Sequence, residues 1–442
     1  MSTVETIAAI STAPGRAGIG VIRISGPGAA AIAKTITGKT PEPGHHLFTS
    51  FKDAGGNLID RGLVLFFRAP HSYTGEDVVE LHAHGSDVVL RQLLDEIFSN
   101  GARPARAGEF TERAFLNDKI DLVQAEAVMD LIESMTSKAA RSAMRSLEGV
   151  FSKQVTVIQD KLVSAKALLE AALDFPDEED IEIDIQPVKE NIQSALELTI
   201  KLTSSAEAGA TLNKGLNVVI AGKPNVGKSS LLNYLAGNDV AIVSDIPGTT
   251  RDRVQQSILL DGMELLLVDT AGIRDSDDKI EAQGILRARE SMEKADLVIS
   301  VFEDDADYTS LEEYLPAGVH VIRVRNKIDI NQPNEQFMPE GVIPVSVKDE
   351  LGMDDLIHAI RSILKLDSSE ENSVSARQRH VKALQSASLN IEQALEGINN
   401  NAGYEVIGEQ IRQALLSFDQ VLGRVTADDI LGVIFSRFCI GK

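Results

Sequence analysis

The chain has 442 residues, which at roughly 150 residues per domain suggests about three domains and rules out a single small module. Forty-three Lys and Arg against sixty-six Asp and Glu give a formal charge of −23, so the whole-chain sum lacks the basic footprint of a general nucleic-acid binder. Cys439 is the one cysteine, which excludes an intramolecular disulfide and any multi-cysteine metal cage and fits a reducing compartment.

The acidity is uneven. Residues 1–118 sum to −2, 119–213 to −8, 214–371 to −13 and 372–442 to 0. The nearly neutral ends can meet a polyanion through local basic clusters, and Arg377, Arg379 and Lys382 form a candidate. No apolar run approaches the roughly 20 residues that span a bilayer, and the start carries neither a signal-peptide basic region nor an Arg-rich transit pattern. The expectation is a soluble, cytoplasmic protein with no membrane partner. Residues 439–442 have the outline of a prenylation signal, but Gly441 is not aliphatic and no polybasic run precedes it, so that reading is discounted.

Along residues 1–118, short apolar runs such as 20–24 and 63–67 alternate with Gly, Pro and Asn, which predicts strands, turns and a few helices in an α/β or α+β domain. His82 and His84 have the spacing to share a metal, but no third ligand lies near, and an ordinary strand is preferred. From Glu109 to Glu148 there is no Gly or Pro, and Leu122, Ala125, Met129 and Ile132 recur at helical spacing. That predicts one long helix, followed by a second over 151–173. Residues 174–184 form an acidic connector, and a further helix is expected over 187–208.

After residue 214 the pattern becomes strands alternating with helices. Candidate parallel strands cover 216–221, 265–269, 297–302, 319–324 and 342–346, which argues for a doubly wound sheet. A polar linker over 367–373 leads back to helix from Ala376. The simplest architecture inserts a nucleotide-binding domain, 214–371, into a helical domain made of 119–213 and 372–442.

Residues 222–229 match the eight-residue phosphate loop and lie between a predicted strand and a predicted helix, the context this chemistry requires. Here Asn225, Val226 and Gly227 would wrap phosphate oxygens with backbone N–H groups, and the helix start at Lys228, Ser229 and Ser230 adds its positive end. Lys228 would bridge the β- and γ-phosphates, and the Ser229 hydroxyl would bind Mg2+. Asp269, Thr270, Ala271 and Gly272 end a buried strand, where a carboxylate can reach the metal through water. Between these lie Ser244, Asp245, Ile246, Pro247, Gly248, Thr249 and Thr250, and Thr250 would close the Mg2+ shell.

Asn326, Lys327 and Asp329 follow the fourth strand. The Asp329 carboxylate can accept both guanine N1–H and the exocyclic amine, whereas adenine would leave it unpaired. Ser346, Val347 and Lys348 would complete the base pocket. The order and spacing of these short matches together indicate a guanine-nucleotide domain. Ile273 stands where small GTPases carry the Gln that orients water, so hydrolysis needs another group, and neither Arg251 nor Arg274 identifies itself as a finger.

Over its whole length the chain resembles the tRNA-modification GTPase family MnmE, also called TrmE. The matching stretches are 6–10, 14–16, 23–26, 73–80, 108–119 and 174–178, with the guanine motifs and the terminal Phe438-Cys-Ile-Gly-Lys442. The resemblance implies a folate-binding-like N-terminal dimerisation domain at 1–118, a helical domain and an inserted Ras-like P-loop GTPase domain. It implies a K+-activated GTPase that acts as a homodimer with the FAD-dependent partner MnmG (GidA). Together these add an aminomethyl or carboxymethylaminomethyl group at carbon five of a tRNA wobble uridine.

By the same resemblance Asn225, Ser244, Ile246 and Thr249 would hold K+, and Glu281 would orient the hydrolytic water. Arg23, Glu80, Lys119 and Lys442 would bind a one-carbon tetrahydrofolate of the 5-formyl or 5,10-methylene type. Cys439 would sit near the one-carbon centre in a supporting role. Read from its residues alone, Arg23 in an apolar strand needs a partner, and a protein carboxylate serves as well as a ligand. Two alternatives stay open on the guanine motifs alone: a ribosome-assembly or regulatory GTPase that grips RNA, and GTP as a purely structural ligand.

Overall fold

The structure, a computed structural model, describes residues 5–174, 184–237, 255–260, 263–269, 290–312, 315–331, 339–363, 374–424, 428–436, 438 and 440–441. The chain divides into two compact units, one made of Met1–Met129, Ser146–Thr199 and Lys382–Lys442, the other of Asp130–Arg145 and Ile200–Val381.

In the first unit the N-terminal strands are β1 (Ile7–Ile10), β2 (Ala17–Ser25), β3 (His46–Lys52), β4 (Leu58–Phe67), β5 (Val78–Gly85) and β6 (Arg103–Pro104). They form one sheet in the order β3-β4-β5-β2-β1-β6, antiparallel except where β1 meets β6. Successive residues of a strand face opposite ways. Ile22, Ile24, Val64, Phe66 and Leu81 therefore turn together onto helices α1 (Ala29–Thr37) and α2 (Asp87–Ser99), where Ile32, Leu90, Leu93 and Ile97 complete a buried core. Arg23, between Ile22 and Ile24, is thrown onto the other face. There Ile7 and Ala9 pack with Phe110 and Tyr73.

The long helix expected over 109–148 is three: α3 (Glu109–Leu116), α4 (Leu122–Glu133) and α5 (Ser137–Leu147). The breaks come from polar side chains that offer the backbone other partners. At the first, Asn117 Nδ2 donates to the Thr74 carbonyl at 2.7 Å and Asp118 turns left-handed at φ +54°. Asp121 then opens α4 with a reciprocal cap, its Oδ1 accepting from Gln124 N at 2.9 Å while Gln124 Oε1 accepts from Asp121 N at 3.0 Å. At the second, Thr136 Oγ1 accepts from Ala139 N at 3.0 Å.

Two longer helices, α6 (Val150–Asp174) and α7 (Gln186–Lys214), follow. In the second unit come β7 (Leu216–Ala221), α8 (Lys228–Gly237), β8 (Gln255–Leu260), β9 (Met263–Asp269), β10 (Leu297–Phe302), α9 (Asp305–Glu312), β11 (His320–Arg325), β12 (Val342–Pro344) and α10 (Met353–Ile363). The sheet order is β12-β11-β10-β7-β9-β8, parallel except for β8 on β9. The doubly wound expectation holds for the five parallel strands, and the antiparallel edge β8 was absent from it. All six residues of β10 are buried, as a strand covered on both faces requires. The order reverses at β7, with β9 on one side and β10 on the other. Crevices at such a reversal, beyond the carboxyl ends of the strands, are where open α/β sheets bind ligands.

Three C-terminal helices, α11 (Gln378–Asn399), α12 (Tyr404–Leu422) and α13 (Asp428–Ser436), complete the described chain. Gln159 of α6 donates to Asp419 of α12 at 2.9 Å. Ile434, Phe435 and Phe438 pack with Leu122, Ala125 and Met129. Ile440 then bridges to Ala107, which brings the tail to the N-terminal sheet.

Behind that sheet lies a buried ion network. Glu109 is only 3% exposed and receives Arg103 at 2.6 Å and Arg113 at 3.1 Å, while Arg113 also binds Glu76 at 2.9 Å. Burial raises the Glu109 pKa, but hydrogen bonds from Arg103, the Arg106 N–H and Arg113 outweigh it and lower it from 4.5 to about 2. A depressed carboxyl contributes stability above its unfolded pKa and loses it as pH falls through the folded one. Glu109→Gln is therefore expected to lower the unfolding midpoint at pH 7 and to flatten the acid loss between about pH 4.5 and 2. A midpoint within about one degree of wild type would contradict it.

Candidate functional site

The phosphate loop leaves β7 at Ala221 and enters α8 at Lys228. Val226 is buried in the core beside Leu231 and Val301 and anchors the loop. Asn225, solvent-exposed, takes φ +66°, and Gly227 takes φ +99°. The Lys228 ammonium donates to the Gly222 carbonyl at 2.8 Å and the Lys223 carbonyl at 2.7 Å, so the loop holds it at its own centre. Ser229 and Ser230 are exposed on the first turn of α8, where the positive end of the helix dipole favours an anion.

The base-reading loop is joined to the phosphate loop through one buried amide. Asn326 Nδ2 donates to the Val226 carbonyl at 2.8 Å, and Asn326 Oδ1 accepts from Val347 N at 3.3 Å. Three segments distant in sequence, around residues 226, 326 and 347, thus meet at one side chain. The Ser346 hydroxyl donates to Asp329 Oδ1 at 2.8 Å, which orients the carboxylate expected to read guanine. Lys348 follows on the turn after Ser346. Asp269 ends β9 and lies in register with Ile220 of β7, two residues before Gly222.

Ser244, Asp245, Ile246, Pro247, Gly248, Thr249, Thr250, Thr270, Ala271, Gly272, Glu281, Cys439 and Lys442 lie outside the described residues.

Likeness to known proteins runs over nearly the whole chain. The domain family described as MnmE helical domain matches residues 122–439, and the one described as GTP-binding protein TrmE N-terminus matches residues 6–119. A protein of Pasteurella multocida named tRNA modification GTPase MnmE is 43% identical over 450 residues, covering 99% of this chain and 100% of the relative. The chain belongs to the MnmE family of tRNA modification GTPases. Relatives of the same name from Chromohalobacter salexigens and Legionella pneumophila are 44% and 43% identical, over 99% and 100% of this chain and 98% and 100% of their own length.

Of the four residues expected to bind folate, Arg23 and Glu80 are brought together. They pair in register across β2 and β5, and Arg23 Nε and a terminal nitrogen donate to Glu80 Oε1 at 3.1 and 2.9 Å. The guanidinium also stands 5.4 Å from the Tyr73 ring centre and 5.7 Å from that of Phe110, a cation held by two aromatic faces. Burial pushes the Tyr73 phenol up, against the hydrogen bond with Thr111. Lys119 donates to the Pro70 carbonyl at 3.0 Å instead. His82 and His84 take separate carboxylates, Glu80 at 3.2 Å and Asp60 at 2.8 Å. Among the described residues no group of three or more His, Cys, Asp and Glu could hold a metal ion.

Sequence reasoning missed Tyr73 and Phe110 as the walls around Arg23, and the partners of Lys223 and Lys327. Tyr73 lies in the loop before β5 and Phe110 in α3, so strand alternation places neither of them. Arg377, one of the proposed basic trio, is tied to Asp130 at 2.9 Å.

Gly227 has a specific reason to be glycine. A Cβ there would collide with the Asn326 amide nitrogen, and φ +99° strains any side chain. Gly227→Ala should weaken GDP binding about tenfold or more, read by nucleotide titration, because the buried Asn326 amide must leave its partners. Unchanged affinity would contradict this account of the junction.

Proposed function

We propose that this MnmE-family GTPase is activated by K+ and modifies wobble uridines of tRNA together with the FAD-dependent protein MnmG (GidA). The observation that carries the reading is the Asn326 junction, which joins the loops expected to hold phosphate and guanine in a chain whose family likeness runs end to end. GTP would lie along the phosphate loop, with Lys228 on its β- and γ-phosphates and Ser229, Thr250 and Asp269 around Mg2+. Asn225, Ser244, Ile246 and Thr249 would hold K+, which supplies fixed positive charge where charge develops on the phosphates. The left-handed turn at Asn225 supports this, since it sets that residue apart from the helix that follows. Glu281 would orient the attacking water in place of the missing Gln at Ile273.

The N-terminal sheet supports a folate site and a homodimer. Arg23 and Glu80 present one cation and one anion beside aromatic walls, a pattern that suits a polar ring with donors and acceptors. Phe48 and Leu63 pair across β3 and β4 and are 65% and 37% exposed; strand alternation puts them on the face that carries Glu80. Apolar side chains so placed favour burial against a second copy. Lys119 and Lys442 would add carboxylate contacts, and Cys439 would support the one-carbon step. No helix among the described residues is long and apolar enough to cross a membrane, and the reading places the protein in the cytoplasm.

GTP turnover should rise by about tenfold or more when K+ replaces Na+ at equal ionic strength. Equal rates would remove the ion mechanism and leave the GTPase. Nucleoside analysis of tRNA from a deletion strain should lose the C5-modified wobble uridines, and complementation with Cys439→Ser should restore less than wild type. Normal wobble uridines in the deletion strain would favour an RNA-gripping GTPase of another role.

A further inference from the structure

The segment that leaves the buried strand β10 reads Glu303-Asp-Asp-Ala-Asp307 and passes for a solvated acidic run. Its geometry is more specific. Glu303 Oε2 receives Lys327 Nζ at 2.8 Å, and Oε1 receives Asn331 Nδ2 at 3.1 Å. One carboxylate thus spans both ends of the turn that carries Asp329. That turn starts strained: Lys327 has φ +64°, and its carbonyl accepts from both Ile330 N and Asn331 N at 3.0 Å. A left-handed non-glycine residue is strained and persists only when its surroundings hold it.

The platform under Glu303 is itself fixed. Asp304 Oδ1 accepts from Asp307 N at 2.8 Å, and the Phe302 and Tyr308 rings lie 5.1 Å apart. Asp307 binds Lys223 of the phosphate loop at 2.7 Å, and Asp305 lies 3.4 Å from Arg325 of β11. Glu303 therefore projects from a segment clamped on both sides. We infer that Glu303 is a positioning residue for guanine recognition, acting through Lys327 to hold the base-reading turn 326–331 in its binding shape. Among the described residues its hydrogen bonds go to Lys327 and Asn331, and it would act by lowering the cost of ordering the turn on binding. The inference rests on residues 222–229 and 326–329 being the nucleotide loops.

The test is titration of the full-length chain with a fluorescent GDP in Mg2+. Glu303→Gln, which keeps shape and removes the charge, should weaken GDP about threefold to fivefold, as expected for a partly exposed ion pair. Asn331→Ala, at an exposed position, releases the other arm and should weaken GDP in the same direction with an unfolding midpoint near wild type. In a Lys327→Met background the Glu303→Gln effect should vanish, since its route is gone. An equal loss in both backgrounds, or wild-type affinity in both single variants, would overturn the inference. A wild-type chain that binds no GDP would instead overturn the loop assignment.

Discussion

A single buried amide carries the nucleotide domain. Asn326, 3% exposed, gives its N–H to the phosphate loop and takes one from the turn after β12. Leaving either group unpaired in the core would cost about 1–3 kcal/mol, so the three loops are held to one arrangement. Gly227 exists to let that amide approach, and Val226 supplies both the carbonyl it binds and the apolar side chain that roots the loop. The reversal of strand order at β7 opens the crevice at the same place. Backbone topology and one side chain therefore prepare a site for phosphate and for base together.

The N-terminal sheet follows a parallel logic with charge. Alternation along β2 forces Arg23 out of the apolar core, and in-register pairing gives it Glu80. The deeper carboxylates, Glu109 and Glu76, are matched by Arg103 and Arg113. A charge of −23 thus coexists with buried acids that are all but neutralised locally, and the excess belongs mainly to residues 119–371. Charge sums over a whole chain say little about which surface meets RNA.

The parallel strands were legible because five apolar runs of five or six residues alternate with helical periodicity, and the phosphate and base motifs fell at their ends. The broken helix over 109–148 was not. Nothing in its apolar period marks a stop, since Asn117, Asp121 and Thr136 break it by competing for backbone groups, one of them with the distant Thr74 carbonyl. Strand β8 escaped because its run of six ends in an antiparallel edge, which the alternation of strand and helix does not announce. Spacing picked out the loops around residues 226, 326 and 347 that the structure joins at Asn326. The supporting residues could not be read from it: Glu303, Tyr73 and Phe110 owe their place to tertiary register and resemble ordinary surface or core residues in the sequence.

The central claim is that the loops around Asn326 form a guanine site before chemistry begins. Competitive titration of the full-length chain with GDP and ADP tests it most directly. The account predicts that GDP binds about a thousandfold or more tighter, because adenine offers Asp329 no matching donors and leaves a polar group unpaired. Comparable affinities for the two nucleotides would contradict it.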